Sequence, residues 1–322
     1  MHMNLSGLIA ALLPVFFVLA LGYGAGKRNA FDANQAAGLS KLAVSFALPA
    51  SLFVGMTDIP RNLLLQQGRL VLALILAHVG LFFAAWAALG LIQSVRGTPA
   101  ILYALMLSTS ATPVFGLAVL QPILGPTAAG AVGLVALSIN LVVPATVVLL
   151  EVDVAKHRGI ANERSTSNPV LTGLASGLKS PLLWAPIIGI AIVIAKIPLP
   201  RMIAACFELI GSTTSGVAVF AVGLVLAAHA FQFSRVVFLG TLGRLTVQNV
   251  VLLVLLRSMH VNSPFSREAL ICCSFPLATV VVLFAARYKS SESETASMLL
   301  FSTLSLAITV PIILWLTHHW PV

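Results

Sequence analysis

The stretch REALICCSFPLATVVVLFAARYKSSESE, Arg267 to Glu294, decides how the chain is read. Between Ala269 and Ala286 every side chain is apolar or small. A membrane-spanning helix needs about 20 such residues. Yet Pro276 stands at the centre of the run. Proline removes a backbone donor and clashes with the carbonyl four residues back, at a cost of about 3 kcal/mol or more inside a helix. Hydrocarbon offers no water to repair that loss. A break at membrane depth therefore survives only where protein or a water-filled cavity takes over the freed groups.

Working outward, the whole chain shares this character. It has 322 residues, 59% hydrophobic and 8% charged, with a mean hydropathy of +1.04. Soluble domains carry about 25% charged residues, so the composition is that of a polytopic membrane protein. The net charge of +9 does not point to nucleic acid, because Lys and Arg are spread singly over short loops with no basic stripe. Cys206, Cys272 and Cys273 lie in apolar stretches and form no CxxC motif, so they read as packing residues. The opening MHMNLSGL lacks a basic segment before its apolar run, which predicts a first span rather than a cleaved signal.

Ten apolar runs of membrane length follow, near 5–26, 36–56, 70–92, 100–122, 128–150, 180–200, 203–228, 234–256, 268–287 and 295–317. Lys27 and Arg28 close the first run, which places that end in the cytoplasm and the N-terminus outside. Of the 18 Lys and Arg, ten then fall in inner loops, six in outer loops and two, Lys41 and Arg244, within spans. The polar stretch 151–179 separates residues 1–150 from residues 180–322 and reads as a cytoplasmic linker.

The two halves echo one another. LSINLVVP from Leu137 matches LSLAITVP from Leu304, and PVFGLAVL from Pro113 matches PLATVVVL from Pro276. Five spans per half is an odd number, so the second half enters the membrane from the opposite side. The expectation is an all-α protein of two inverted five-helix repeats, with broken helices four and nine crossing at Pro113 and Pro276. Such pairs of interrupted helices mark midplane binding sites in secondary transporters. Each break frees amides at a half-helix N-terminus, which favours an anion.

At these residues the chain resembles the auxin efflux carrier family of the bile acid/auxin transporter superfamily, most closely its bacterial malonate-type members. LPVFFVLALGYGAGK (13–27), LSKLAVSFALPASLF (39–53), SGVAVFAVGLVLA (215–227) and the P-L-A-T to A-A-R-Y segment (276–288) carry the likeness. The fourth run reads STSATPVFGLAVL (108–120), with Ala111 and Ala118 where many members have Asn and Pro. The resemblance implies a carrier in the bacterial inner membrane with both termini outside. It would move a small malonate-like carboxylate by alternating access, with no cofactor and with sodium or proton coupling left open. A homodimer is compatible with it. Its alternatives are a facilitative efflux carrier for another weak acid, such as an auxin-like aromatic carboxylate, and a sodium-coupled bile-acid-type symporter. A channel would need a continuous polar lining. An enzyme would need clustered acid, base or metal ligands. Neither pattern is present, nor is the Gly-rich loop of a pump.

Polar residues within spans need partners, so they form the candidate substrate site. Thr109, Ser110 and Thr112 offer hydroxyls beside Pro113, and Ser274 and Thr279 flank Pro276. Ser45 lies beside Pro49 in the second run. Asn140 either reaches the carbonyl freed by Pro144 or donates to a carboxylate. Arg244 either pairs with the anion or is held structurally, by snorkelling or by Glu208. His78 is the candidate proton relay. Lys41 reads as a snorkelling residue.

Overall fold

The computed structural model describes residues 5–125, 128–157, 181–229, 231–261 and 265–319. Among them the chain is helical, and the one strand-like feature is an isolated antiparallel bridge between Ser110 and Leu277. Helix α1 is Leu5–Lys27. Helices α2 (Ala33–Leu42) and α3 (Leu48–Thr57) are joined by a π-turn at Ala43–Ala47, and α4 (Arg61–Leu65) is a short connector. A second π-turn, Leu76–Gly80, joins α5 (Gly68–Ile75) to α6 (Leu81–Gly90). Next come α7 (Thr98–Ser108), α8 (Thr112–Leu124), α9 (Ala128–Asn140) and α10 (Val142–His157). The second half holds α11 (Pro181–Ile194), α12 (Arg201–Gly211), α13 (Thr214–Ala227) and α14 (Arg235–Ser258). It ends with α15 (Ser266–Cys273), α16 (Thr279–Arg287), α17 (Glu292–Leu304) and α18 (Leu306–His319).

Local chemistry sets several of these boundaries. Asp32 and Gln35 form a capping box at the start of α2, each side chain bonding the other's backbone amide at 2.8 and 2.9 Å. Ser234 caps α14 by accepting from the Val237 amide at 3.2 Å. Gly125 ends α8 with a φ of +69°, which a side chain would disfavour.

Five helices among the described residues are long and apolar enough to cross a membrane: Asn34–Thr57, Gly68–Gly90, Ala128–Val154, Arg201–Ala227 and Arg235–Ser258. A sixth arises if α17 and α18, bent by 54°, form one span. The hydropathy runs at 100–122 and 268–287 are each two short helices, α7 with α8 and α15 with α16. The expected linker at 151–179 lies largely outside the described residues, and its first part, up to His157, continues α10.

The helices pack in two groups. One holds α1 to α3 with α11 to α13; the other holds α5 to α10 with α14 to α18. They meet where α1 and α13 pack on α8, and where α3 and α11 pack on α9. The α1–α13 contact is close enough to need glycine. A methyl group on Gly22 would run into the backbone of Phe220, and one on Gly223 into the backbone of Leu19 and Tyr23. Small residues serve this purpose in bilayers, where close van der Waals packing replaces the hydrophobic drive between helices.

Candidate functional site

The two breaks meet. The chain leaves α7 at Ser108 and starts α8 at Thr112; it leaves α15 at Cys273 and starts α16 at Thr279. Across the gap the Ala111 amide donates to the Pro276 carbonyl at 2.8 Å. The Leu277 amide donates to Ser302 Oγ at 3.1 Å. Thr112 Oγ1 donates to the Cys272 carbonyl at 2.8 Å and lies 2.6 Å from Ser110 Oγ. Ser108, Ser110, Ala111, Thr112, Cys272, Cys273, Pro276, Leu277 and Ser302 are shielded from solvent, whereas Pro113 and Thr279 are partly buried.

A helix that stops in the bilayer leaves carbonyls that must be satisfied. At the end of α15 they all are. The Leu270 carbonyl accepts Ser274 Oγ at 2.8 Å, and the Ile271 carbonyl accepts the Ser274 amide at 3.0 Å. The Cys272 carbonyl takes the Phe275 amide at 3.2 Å besides Thr112. The Cys273 and Phe275 carbonyls each accept Arg244 Nη2 at 3.1 Å. At the end of α7, the Leu105 carbonyl takes Thr109 Oγ1 at 2.6 Å, and the Ser108 carbonyl takes Gln248 Nε2 at 3.0 Å.

The opposite ends are treated differently. Among the described residues no partner is seen for the amides of Thr112, Thr279 and Val280, in the first turns of α8 and α16. The α16 end opens on a cavity of about 500 Å³. Its walls are α2 and the π-turn after it, α13, Val114 of α8, and the Thr279, Val282, Leu283 and Ala286 face of α16. The lining is apolar except for Ser40, Lys41, Ser45, His229 and Thr279. Beyond the far end of α16, Tyr288 donates to Glu151 Oε1 at 2.6 Å, which ties this wall to α10. Burial, reinforced by that bond, pushes the Tyr288 phenol up to about 12, so it stays a donor at neutral pH.

The structure thus sorts the residues named from sequence. Thr109, Ser110, Thr112, Pro113, Ser274 and Pro276 gather at the paired breaks, but their hydroxyls are engaged with protein groups. Ser45 and Thr279 line the cavity, as does Lys41, which sits at its exposed rim rather than simply reaching away from hydrocarbon. Pro49 is buried in the first turn of α3, away from the cavity walls. Asn140 Nδ2 donates to Ala136 at 2.8 Å, one turn back in its own helix, and not to the carbonyls near Pro144. Of the readings open for Arg244, snorkelling and pairing with Glu208 are corrected: the guanidinium is buried and bonds the break carbonyls, and Glu208 is exposed on α12. His78 lies in the second π-turn, where Nδ1 meets the Leu74 carbonyl at 2.7 Å and Ser138 Oγ at 3.2 Å. Sequence reasoning missed Gln248 and Asn249. Asn249 Oδ1 accepts Ser274 Oγ at 3.2 Å, and the signal was their position in the Arg244 helix.

A family profile described as "Membrane transport protein" matches residues 8–314. The chain belongs to this family of membrane transport proteins, the auxin efflux carrier family. The "Uncharacterized transporter YfdV" of Escherichia coli K12 is 32% identical over 308 residues, covering 96% of each chain. A protein of the same name from Shigella flexneri matches equally. The "Lysosomal cholesterol signaling protein" of Mus musculus is 25% identical over an alignment of 331 positions that covers 98% of this chain and 38% of the mouse protein.

Proposed function

We propose that the chain is a secondary active carrier of a small organic anion of the malonate-like carboxylate class, working by alternating access in the bacterial inner membrane. One observation carries the reading. At the paired breaks the carbonyl ends are closed by protein donors, whereas amides of α16 stay free beside a cavity. Free amides at the positive end of a helix dipole suit a carboxylate. Lys41 at the rim adds a cation. Matched motifs around the two breaks support ten spans in two inverted repeats, with both termini outside. The two helix groups then give the bodies that move past one another.

The apolar walls favour a second reading within the same class, a weak acid with a larger hydrocarbon or aromatic body. Uptake of a labelled carboxylate panel into liposomes tests both. Saturable uptake of malonate supports the first, preference for aromatic monocarboxylates supports the second, and uptake of neither sinks the anion reading. Replacing sodium with N-methylglucamine should leave uptake within about twofold. Unwound carbonyls are the usual sodium ligands of broken helices, and here a guanidinium holds those of Cys273 and Phe275.

Lys41 gives a further check. Lys41→Glu should raise KM several-fold at low salt, with the gap narrowing above about 0.3 M salt as the Debye length falls below about 6 Å. An unchanged KM at low salt would show that the rim charge plays no part.

A further inference from the structure

Helix α14 touches both breaks through one face. Arg244 and Gln248 are four residues apart in sequence, so they stand one above the other on that helix. Both are buried, at 1% and 0% exposure. The acceptors they occupy are not arbitrary. In a continuous helix each amide donates to the carbonyl four residues back. Unbroken, α7–α8 would therefore bond the Thr112 amide to Ser108. Unbroken, α15–α16 would bond Leu277 to Cys273 and Thr279 to Phe275. Gln248 holds the Ser108 carbonyl, and Arg244 holds those of Cys273 and Phe275. The displaced amides are those of Thr112 and Thr279, left free, and of Leu277, which is diverted to Ser302.

We infer that Arg244 and Gln248 form a clasp: two positioning residues that keep both broken helices open by occupying the acceptors that reclosure needs. Prolines weaken the helices at these places by removing their own amides and crowding the carbonyls four residues back, but Pro276 and Pro113 leave the Thr112, Leu277 and Thr279 amides as donors. The clasp prevents the neighbouring amides from re-forming theirs. Guanidinium suits this task because one planar group reaches two carbonyls without losing its charge. Its charge also lies at the negative end of the α15 dipole. Arg244 Nε and Nη1 have no partner among the described residues, so its fixed bonds are those to the break. The consequence for the proposed carrier is that the Thr279 amide offered to an anion by α16 is free because Arg244 keeps it unpaired, while the Ala111 amide occupies the Pro276 carbonyl that Val280 would need.

The test is site-resolved amide hydrogen exchange on the purified full chain in nanodiscs. Arg244→Ala should slow exchange at Thr279 by about fivefold or more, and Gln248→Leu should do the same at Thr112, as each amide gains a helical partner. Exchange in α1 and α13 should stay as in wild type. Arg244→Lys, which retains a cationic donor, should keep Thr279 fast. A merely structural role gives the opposite sign, since loosening speeds exchange. Unchanged or faster exchange at Thr112 and Thr279 overturns the clasp. If Arg244→Ala does not fold, Gln248→Leu at Thr112 decides alone. This readout needs no substrate. The clasp rests on the proposed carrier role only for its use, and a wild type that carries no tested carboxylate would sink that role while leaving the exchange result standing.

Discussion

Ala221→Trp is expected to reduce substrate uptake by about 100-fold or more while the protein inserts and melts close to wild type. The argument starts from the face that α13 turns to the cavity. Ala218, Ala221, Val222 and Val225 recur at the i, i+3, i+4, i+7 spacing of one helical stripe. Small side chains on such a stripe usually let another helix approach, as Gly223 does against α1 on the other side of the same helix. Here they face a void of about 500 Å³, with Val282 and Leu283 of α16 on its far wall. An indole placed at Ala221 enters that void and not a packed interface. It therefore avoids the overpacking cost of about 1–3 kcal/mol typical of a filled core. The measurement pairs liposome uptake with the melting temperature. Uptake within about threefold of wild type, at normal expression, would show that the substrate passes elsewhere.

The sequence made the apolar runs and the two breaks legible for a physical reason. Membrane helices must be long and apolar, and a proline at their centre has no water to mend it. The matched prolines therefore pointed to the same pair of breaks that the bridge from Ser110 to Leu277 joins. The hydroxyls of Thr109, Ser110 and Thr112 were also found, but their use was not. A broken helix needs donors for its own freed carbonyls, and side chains next to the break supply them first. The π-turns at Ala43–Ala47 and Leu76–Gly80 were not legible, because AVSFA and LAHVG carry no residue that marks a widened turn. They place Ser45 at the cavity and His78 against Ser138. The cavity itself was beyond reach. Its walls come from α2, α13 and α16, distant segments whose residues are small and apolar and so look like ordinary packing. Gln248 was within reach, since a glutamine one turn from a buried arginine in an apolar helix needs a partner.

Ala111→Pro should be the most damaging single change at the breaks, with uptake lost by about 50-fold or more and the melting temperature lowered by several degrees. The bond from the Ala111 amide to the Pro276 carbonyl is a main-chain hydrogen bond that joins the two breaks. Proline deletes that donor and little else in the local backbone. Ala111 has a φ of −76°, which the pyrrolidine ring accepts. Ser110 before it is in an extended bridge, the conformation that precedes proline without strain. The loss leaves a buried carbonyl unpaired, at about 1–3 kcal/mol, and sets the ring against the oxygen that the amide had approached. A shift of about 2–4 °C per kcal/mol then gives the drop in melting temperature. Pro276→Ala makes the contrast. Pro276 contributes only its carbonyl to the bridge, and alanine has the same carbonyl. Arg244, Ser302 and Thr112 still hold the segment from three sides. Pro276→Ala should therefore keep uptake within about fivefold of wild type, although it removes the residue that first drew attention to the break. If instead Pro276→Ala abolishes uptake and Ala111→Pro is tolerated, local helix breaking by proline and not the pairing of the two breaks builds the site.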